Sequence, residues 1–185
     1  MTQLDLYPIL AEDARQQFDS EGHVAVQGLF DAAQAGAVLA ELNARVFRHH
    51  PGGPGEQITP LKGMPSSDRG TAFDALFERI SDGAATLGES LEPELGWGIN
   101  AQLLRMEAGG RGRVHTDCPM LGDVTAIANL EGSSSFRVIN IGQYRLETGD
   151  AVFIRGQEMW HQGLADQGVA RTGLAVARIA LQKPK

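Results

Sequence analysis

The spacing of hydrophobic residues changes along the chain near residue 96. Before this point, apolar residues recur at intervals of three and four positions, which places them on one face of an α-helix. After it, short apolar runs alternate with glycine-rich and polar turns, a pattern typical of β-strands. The sequence therefore predicts a single domain, 1–185, with a mainly helical part at 1–95 and a β-rich core at 96–185.

Two amphipathic helices are predicted in the first part. Asp31 can cap a helix that runs to about Arg48, and Thr71 can cap a second helix. Each helix has a stripe of apolar residues that needs a sheet to cover. The stripe residues are Val38, Leu39, Leu42, Val46 and Phe47 in the first helix and Phe73, Leu76, Ile80, Ala84 and Leu87 in the second.

A long segment rich in proline, glycine and serine separates the two helices, at residues 50–70. Loops longer than about 12–15 residues in a compact domain are commonly binding loops or lids. We therefore predict that residues 50–70 form a lid-like loop that covers a pocket and helps to select the substrate.

Eight short strands are predicted in the second part. Short strands joined by glycine-rich turns favour a jelly roll, in which two sheets face each other. The expected strands are 98–106, 112–117, 123–130, 134–140, 143–146, 151–154, 159–163 and 169–181. Candidate wall residues at the mouth of such a barrel are Thr125, Ile127, Phe136 and Trp160.

Three side chains in the second part have the chemistry of a metal site: His115, Asp117 and His161. In an extended strand His115 and Asp117 share one face, and the predicted strand order brings His161 from a neighbouring strand. Two imidazoles and one carboxylate can occupy one face of an octahedral metal and leave three positions open. This arrangement is typical of non-haem Fe(II) oxygenases.

Arg171 lies ten residues beyond His161, near the start of the last predicted strand. A guanidinium binds a carboxylate through two parallel hydrogen bonds, and a charge-assisted contact of this kind contributes about 1.5–3 kcal/mol. Arg171 is therefore a candidate for binding an anionic co-substrate.

The ordered set of His-x-Asp, distal histidine and arginine resembles the Fe(II)/2-oxoglutarate-dependent dioxygenase superfamily. The resemblance extends to residues 103–110 and 146–153. Residues 18–30 are similar to the opening strand of the phytanoyl-CoA-hydroxylase-like branch, and residues 103–178 have some resemblance to the oxidative nucleic-acid demethylase branch. Nearly the whole chain is covered, except for residues 50–70.

This resemblance implies a mainly β fold with flanking helices, a cupin-like double-stranded β-helix with the N-terminal helices packed on the outer sheet face. It implies that His115, Asp117 and His161 hold Fe(II) at the catalytic centre and that Arg171 binds the distal carboxylate of 2-oxoglutarate, with O2 as the other co-substrate. The implied reaction couples decarboxylation of 2-oxoglutarate, to succinate and CO2, with hydroxylation or a related oxidation of a small molecule. Related halogenases replace the carboxylate with a small residue, so Asp117 favours hydroxylation.

Further polar residues are candidates for the co-substrate site. Gln102 lies thirteen residues before the first metal ligand, where some members of the resembled family carry an amide that contacts 2-oxoglutarate. Asn100 and Asn129 are comparable candidates. Arg178 is the rival of Arg171, because the demethylase branch places its arginine farther past the distal histidine. The two arginines are an odd number of residues apart and face opposite sides of a regular strand, and we favour Arg171.

Composition limits the partners and the compartment. The chain has 16 basic and 23 acidic residues, a net charge of −7, which disfavours nucleic acid as a partner. No run approaches the ~18 apolar residues of a membrane span, and residues 1–8 lack the features of a signal peptide. Cys118 is the only cysteine, which suits a reducing compartment, and we expect it to be a buried, inert thiol. These features predict a cytoplasmic protein without a membrane partner.

Two other functions remain open from the sequence. One is an oxidative demethylase that acts on a nucleic acid or a nucleobase. The other is a cupin-like protein that binds metal without redox turnover, as an isomerase or a binding module. The second would explain the two histidines and Asp117 but would leave Arg171 without a role. The sequence carries no signal on oligomeric state.

Overall fold

Two β-sheets and three helices form the part of the chain that the structure describes. This computed structural model covers residues 2–8, 12–44, 50–61, 71–87, 97–118 and 121–180. Within these ranges the helices are α1 (Glu12–Glu21), α2 (Ala32–Asn43) and α3 (Thr71–Thr86). The strands are β1 (Leu6–Pro8), β2 (His23–Gln27), β3 (His50–Pro51), β4 (Glu56–Pro60), β5 (Trp97–Met106), β6 (Leu121–Glu131), β7 (Ser134–Val138), β8 (Gly142–Leu146), β9 (Ala151–Ile154), β10 (His161–Ala165) and β11 (Arg171–Ala180).

The larger sheet has the strand order β1-β2-β9-β6-β11-β5-β4-β3, and the smaller sheet has the order β10-β7-β8. The β1–β2 pair is parallel, and the other pairs of these strands are antiparallel. Seven of the eight strands predicted in the second part are present, with ends that differ from the prediction by about two residues or fewer.

The predicted strand at 112–117 is the exception. This segment runs beside β10 but forms only two isolated bridges, Arg111 with Leu164 and His115 with His161. The two bridges are four residues apart in this segment and three residues apart in β10. The register therefore slips between them, and no continuous ladder forms. The segment is an irregular fourth row of the smaller sheet.

Hydrophobic side chains fill both faces of the larger sheet. The inner cluster lies between the two sheets and includes Ile127 and Val152 from the larger sheet and Phe136 and Tyr144 from the smaller one. The outer cluster joins the larger sheet to the three helices. This arrangement confirms the predicted β-sandwich with N-terminal helices on its outer face. The buried residues of α2 and α3 include Val38, Leu42, Phe73, Leu76, Ile80 and Ala84.

The helix starts are stabilised by polar side chains. Asp31 forms a capping box with Gln34, because its carboxylate accepts the Gln34 N–H at 2.8 Å and its own N–H donates to Gln34 Oε1 at 2.9 Å. At α3 the carboxylate of Glu41 accepts the N–H groups of residues 72 and 73, each at 3.0 Å. Thr71 is the first residue of that helix, so Glu41 supplies the side-chain cap that we had expected of Thr71. Val46, Phe47 and the predicted end at Arg48 lie outside the described residues.

The N-terminal part contains more strands than predicted. Residues 18–30, which resemble an opening strand, contain the end of helix α1 before β2 begins. Residues 50–61 form the hairpin β3–β4, and β4 pairs with β5 at the edge of the larger sheet. The turn requires Gly55, whose φ of 70° is accessible to glycine at little cost. The expected loop at 50–70 is therefore a hairpin over its first part, and residues 62–70 lie outside the described residues. No helix in the described ranges is both long and apolar enough to cross a membrane.

Candidate functional site

His115, Asp117 and His161 converge at one end of the space between the sheets. Each offers one ligand atom, and these atoms all lie within 4.8 Å of one another. Asp117 Oδ1 is 3.7 Å from His115 Nε2 and 3.6 Å from His161 Nε2. Mutual hydrogen bonds between the backbones of His115 and His161, at 2.8 and 3.1 Å, hold the two histidines side by side. The three residues chosen from the sequence are thus brought together.

Backbone carbonyls fix the orientation of both imidazole rings. His115 Nδ1 donates to the carbonyl of Arg113 at 2.8 Å, and His161 Nδ1 donates to the carbonyl of Met159 at 2.9 Å. Because a carbonyl oxygen can only accept, Nδ1 carries a proton, so in the neutral form of each ring the lone pair is on Nε2. Each Nε2 faces the carboxylate of Asp117. A backbone acceptor on the ring nitrogen that does not bind the metal is the usual support for a metal-binding histidine.

The carboxylate of Asp117 is held at its second oxygen. Thr125 Oγ1 donates a short hydrogen bond to Oδ2, and the Asp117 N–H donates to the carbonyl of Gly156 at 2.7 Å. A Cβ at position 156 would lie 2.5 Å from Asp117 Cγ and would overlap Oδ2, so the carboxylate depends on the glycine there. These contacts leave Oδ1 directed at the two imidazoles.

Burial controls the charge of His161, which is 4% exposed. Burial lowers the pKa of His161 below its ordinary value, and this outweighs the opposing effects of Asp117 and of the hydrogen bond to Met159. The neutral imidazole is the form that binds a metal. Phe136 stacks on the ring of His161 with centroids 5.5 Å apart and covers one of its faces.

The three residues line a cavity of about 300 Å³. Arg171 lies in the wall of the same cavity and is 2% exposed. Most of the remaining wall is apolar, with polar groups concentrated at Glu56, Gln102 and Arg113. The other lining residues are Pro51, Gly52, Ile58, Leu104, Met106, Gly112, Thr125, Ile127, Phe136 and Gly163.

Arg171 is a buried cation with an incomplete set of hydrogen bonds. Its Nε donates to Asn129 Oδ1 at 3.1 Å, and its Nη1 lies 4.0 Å from the sulfur of Met106. Its Nη2 is buried and has no hydrogen-bond partner among the described residues. Burial lowers the pKa of Arg171 to about 10, although the charge of Glu56 opposes this, and the side chain remains a cation at neutral pH. A buried cation with an unpaired N–H group favours an anionic partner.

Other candidates from the sequence have mixed outcomes. Gln102 is half-buried in the cavity wall, on the same strand face as Leu104 and Met106. Asn129 is completely buried and contacts Arg171. The side chains of Asn100 and Arg178 lie outside the part of the structure that is described.

Two residues differ from expectation. Trp160 is 57% exposed and is not in the cavity wall, because in an extended backbone it faces away from the neighbouring His161. Cys118 is exposed, where we had expected a buried thiol. It follows Asp117 beyond the last of the two isolated bridges, where the described residues form no ladder with a neighbouring strand.

Sequence reasoning did not identify several functional contacts. Thr125 was expected only as a wall residue and Asn129 only as a candidate contact of the co-substrate, and the supporting role of Gly156 had no local signal. Glu56 enters the cavity because the hairpin β3–β4 pairs with β5, which places Glu56 beside Met106. A proline- and glycine-rich segment gives no indication of such pairing.

Comparison with known proteins identifies the fold. No family model and no curated protein sequence matches the chain. Among solved structures, a Pseudomonas putida prolyl-4-hydroxylase matches with a TM-score of 0.67 and 16% identity, covering 95% of this chain and 100% of that chain. The viral collagen prolyl hydroxylase from Paramecium Bursaria Chlorella virus-1, a 2-oxoglutarate complex, has a TM-score of 0.67 and 14% identity, covering 88% and 98%. HygX from Streptomyces hygroscopicus, with nickel and 2-oxoglutarate bound, has a TM-score of 0.62 and 13% identity, covering 92% and 87%.

At these identities the likeness is one of fold. The chain shares the jelly-roll fold of these proteins, which confirms the fold class predicted from the sequence.

Proposed function

We propose that this protein is a non-haem Fe(II)/2-oxoglutarate-dependent dioxygenase that hydroxylates, or otherwise oxidises, a small molecule. One observation carries the proposal: His115, Asp117 and His161 share a single cavity with the buried, incompletely paired Arg171. A metal site alone would suit many functions. A metal site with a buried anion-binding group in the same cavity suits a metal-chelated carboxylate co-substrate.

The donor set fits Fe(II). Two imidazoles and one carboxylate, all directed at one point, form the facial triad of Fe(II) oxygenases and leave the remaining positions for co-substrate and O2. The protons on both Nδ1 atoms and the hydrogen bond from Thr125 to Asp117 preset the ligands for metal binding.

The anion pocket fits the distal carboxylate of 2-oxoglutarate. Arg171 Nη2 has no partner among the described residues. Gly163 has no side chain, and this makes room for Nη1 of the guanidinium. Gln102 lies in the same wall, where its amide can contact the co-substrate. Ile127 and Phe136 supply an apolar wall that excludes water from the reacting groups.

When Fe(II) and 2-oxoglutarate are bound, they supply oxidative decarboxylation by O2, to succinate and CO2, coupled to insertion of one oxygen atom into a C–H bond of the substrate. The chain contributes positioning. His115, Asp117 and His161 hold the metal, Arg171 orients the co-substrate through its far end, and the hairpin β3–β4 forms one wall of the substrate side through Ile58 and Glu56.

A small substrate is favoured by the size of the cavity. About 300 Å³ is at the lower end for ligand pockets, and the co-substrate occupies part of it. The hairpin β3–β4, which includes the first part of the expected lid, lines the cavity through Pro51, Glu56 and Ile58. We propose that it selects the substrate. A cytoplasmic location remains our prediction from the sequence.

The test is calorimetric titration of 2-oxoglutarate into protein loaded with Mn(II), a redox-silent substitute for Fe(II). We expect binding that requires the metal, is lost in Arg171→Ala with Mn(II) affinity retained, and is lost together with the metal in His115→Ala. Succinate release by the Fe(II) enzyme would then provide the readout for a screen of small molecules and prolyl peptides.

Two results would redirect the assignment. Tight Mn(II) binding with no response to 2-oxoglutarate would reject the proposal and favour a cupin-like metal protein. Nucleic-acid binding that weakens steeply with salt, together with 2-oxoglutarate turnover, would favour the demethylase.

A further inference from the structure

The guanidinium of Arg171 has two edges that can bind a carboxylate through a pair of N–H groups. One edge is formed by Nε and Nη2, and the other by Nη1 and Nη2. Nε already donates to Asn129 Oδ1 at 3.1 Å. The Nε edge is thereby occupied. On the end-on edge, Nη1 contacts only the weak acceptor sulfur of Met106, at 4.0 Å, and Nη2 has no partner among the described residues, so this edge is the one left for a ligand.

Asn129 is itself held firmly. Its backbone N–H donates to the carbonyl of Asp150 at 2.8 Å, and its carbonyl accepts the N–H of Gly149 at 3.0 Å. Its side-chain Nδ2 donates to the carbonyl of Gly132, and its Oδ1 also accepts from Ser134 Oγ at 3.2 Å. Because a carbonyl only accepts and Nε only donates, these partners fix which end of the amide faces Arg171.

A β-bulge places Asn129 against the arginine. In the pairing of β6 with β11, Thr172 lies opposite Glu131 and Gly173 lies opposite Asn129, so one extra residue is inserted in β6. Bulges re-aim the side chains next to them and recur beside active sites. Asn129 is completely buried and 42 residues from Arg171 in sequence, so the contact is set by the fold.

The amide differs from a carboxylate at this position in one important respect. Asn129 accepts the Nε hydrogen bond without neutralising the guanidinium. Among the described residues no carboxylate lies within ion-pair distance of Arg171, and Glu56 acts on it only at longer range. The full positive charge is therefore retained for a ligand.

We propose that Asn129 is a positioning residue that turns the end-on edge of Arg171 toward the cavity and preserves its charge for the distal carboxylate of the co-substrate. The inference rests on the proposed function, since it concerns the same co-substrate site. Asn129 acts through Arg171 and does not touch the co-substrate.

The experiment measures the affinities of Mn(II) and of 2-oxoglutarate, by calorimetry, in the parent protein, Asn129→Ala and Asn129→Asp. Asn129→Ala removes the acceptor, so we expect the Kd of 2-oxoglutarate to rise at least about tenfold while the Kd of Mn(II) changes by less than about threefold. Asn129→Asp keeps an acceptor but adds a competing anion, so we expect a rise at least as large. With Fe(II), the KM for 2-oxoglutarate should rise while kcat at saturation stays within about threefold.

Thr172→Val is the matched control. Thr172 is buried beside Arg171 and donates only to Glu131, at 3.2 Å, so its loss perturbs the same bulge without touching the guanidinium. We expect its Kd for 2-oxoglutarate to equal that of the parent.

The outcomes separate the inference from the function on which it rests. If the parent shows no metal-dependent binding of 2-oxoglutarate, both are overturned. If the parent binds it and both Asn129 variants stay within about threefold, the function stands and the role of Asn129 is rejected. The role of Asn129 would also be rejected if its variants lost as much affinity for Mn(II) as for 2-oxoglutarate. The same holds if Thr172→Val raised the Kd of 2-oxoglutarate as much as the Asn129 variants do, because either result indicates a general structural role. Asn129→Asp decides the question if the alanine variant does not fold.

Discussion

The carboxylate of Asp117 occupies the space that a side chain at Gly156 would need. A Cβ on residue 156 would overlap Oδ2 and would lie 2.5 Å from Cγ, while the Gly156 carbonyl accepts the N–H of Asp117 at 2.7 Å. Gly156 therefore both holds the backbone at Asp117 and leaves room for the Asp117 carboxylate. The segment has no continuous ladder with β10, so these local contacts are a main determinant of where Asp117 lies.

We expect Gly156→Ala to lose Mn(II) affinity by a factor on the order of 100 or more. The new methyl group displaces Oδ2 from Thr125 and turns Oδ1 away from the imidazoles. The clash is with the end of a side chain that can rotate, so we expect the protein to remain folded. Calorimetric titration with Mn(II) measures the loss, and a urea titration measures the free energy of unfolding.

Gly36→Ala is the control for that substitution. A Cβ at Gly36, in the middle of α2, meets no atom within 4 Å. We expect unchanged Mn(II) affinity and a free energy of unfolding that is raised by up to about 1 kcal/mol, because alanine favours the helix. Unchanged metal binding in Gly156→Ala would show that the backbone accommodates the methyl group and would reject the steric argument.

The side chains chosen for the site from sequence could be predicted because they obey local rules. His115 and Asp117 sit two positions apart in an extended backbone, and His161 and Arg171 lie at the starts of strands that were readable from their apolar runs. The alternation of side chains along an extended backbone also explains the outward position of Trp160, because neighbouring residues such as Trp160 and His161 face opposite sides.

The supporting contacts could not be predicted, because they depend on how separate segments of the chain pack against one another. The pair Asn129 and Arg171 depends on a bulge, and bulges leave no reliable trace in an apolar strand. Thr125 is only eight residues from Asp117, but its hydrogen bond to the carboxylate depends on where β6 lies relative to residues 112–117. The hairpin at residues 50–61 was obscured because its Pro- and Gly-rich composition is typical of loops, while its pairing partner β5 is far along the chain.

The position of Arg171 gives a second steric prediction. A Cβ on Gly163 would lie 2.7 Å from Arg171 Nη1, and one on Gly173 would lie 3.1 Å from Nη2. We expect Gly163→Ala to displace the guanidinium and to raise the Kd of 2-oxoglutarate about tenfold or more, with a smaller rise in Gly173→Ala. Both should bind Mn(II) as the parent does. Calorimetry on the Mn(II)-loaded variants tests this order, and a larger effect of Gly173→Ala would contradict it.

Buried His23 predicts how stability depends on pH. His23 Nδ1 lies 2.7 Å from the hydroxyl of Tyr144, and burial lowers the pKa of His23 more than the charge of Glu21 raises it. The folded state therefore binds a proton less readily than the unfolded state. The contribution of His23 to the free energy of unfolding is therefore fully present above about pH 6.5. It is lost as the pH falls below that value, at up to about 1.4 kcal/mol per pH unit.

We expect His23→Gln to make the acid-side loss of stability shallower. The parent has a second buried histidine with a lowered pKa, His161, so the variant should keep part of the slope. Urea titrations of metal-free protein, from about pH 7 to about pH 5, give the slope for each protein. Equal slopes in parent and variant would show that His23 binds its proton in the folded state as readily as in the unfolded chain.

Glu56 leads to a prediction in the opposite direction, a substitution that strengthens co-substrate binding. Its carboxylate lines the cavity and accepts the N–H of Gly53 at 2.8 Å, and its charge acts on Arg171. It must therefore repel a dianion that binds to the same arginine. Glu56→Gln keeps an acceptor for Gly53 and removes this repulsion, so we expect the Kd of 2-oxoglutarate to fall about twofold to fivefold at low salt.

The control is Glu107→Gln, which changes the net charge equally at an exposed position outside the cavity wall and should leave the Kd unchanged. Calorimetry at low and high salt separates the two effects, because the gain in Glu56→Gln should shrink as salt screens the charges. Weaker binding in Glu56→Gln would mean that the carboxylate holds the hairpin in its binding position. Tighter binding of 2-oxoglutarate in Glu56→Gln would mean that Glu56 lowers the affinity for the co-substrate. The role that offsets this loss would then lie in substrate binding, through a cation or a hydrogen-bond donor of the substrate that pairs with Glu56.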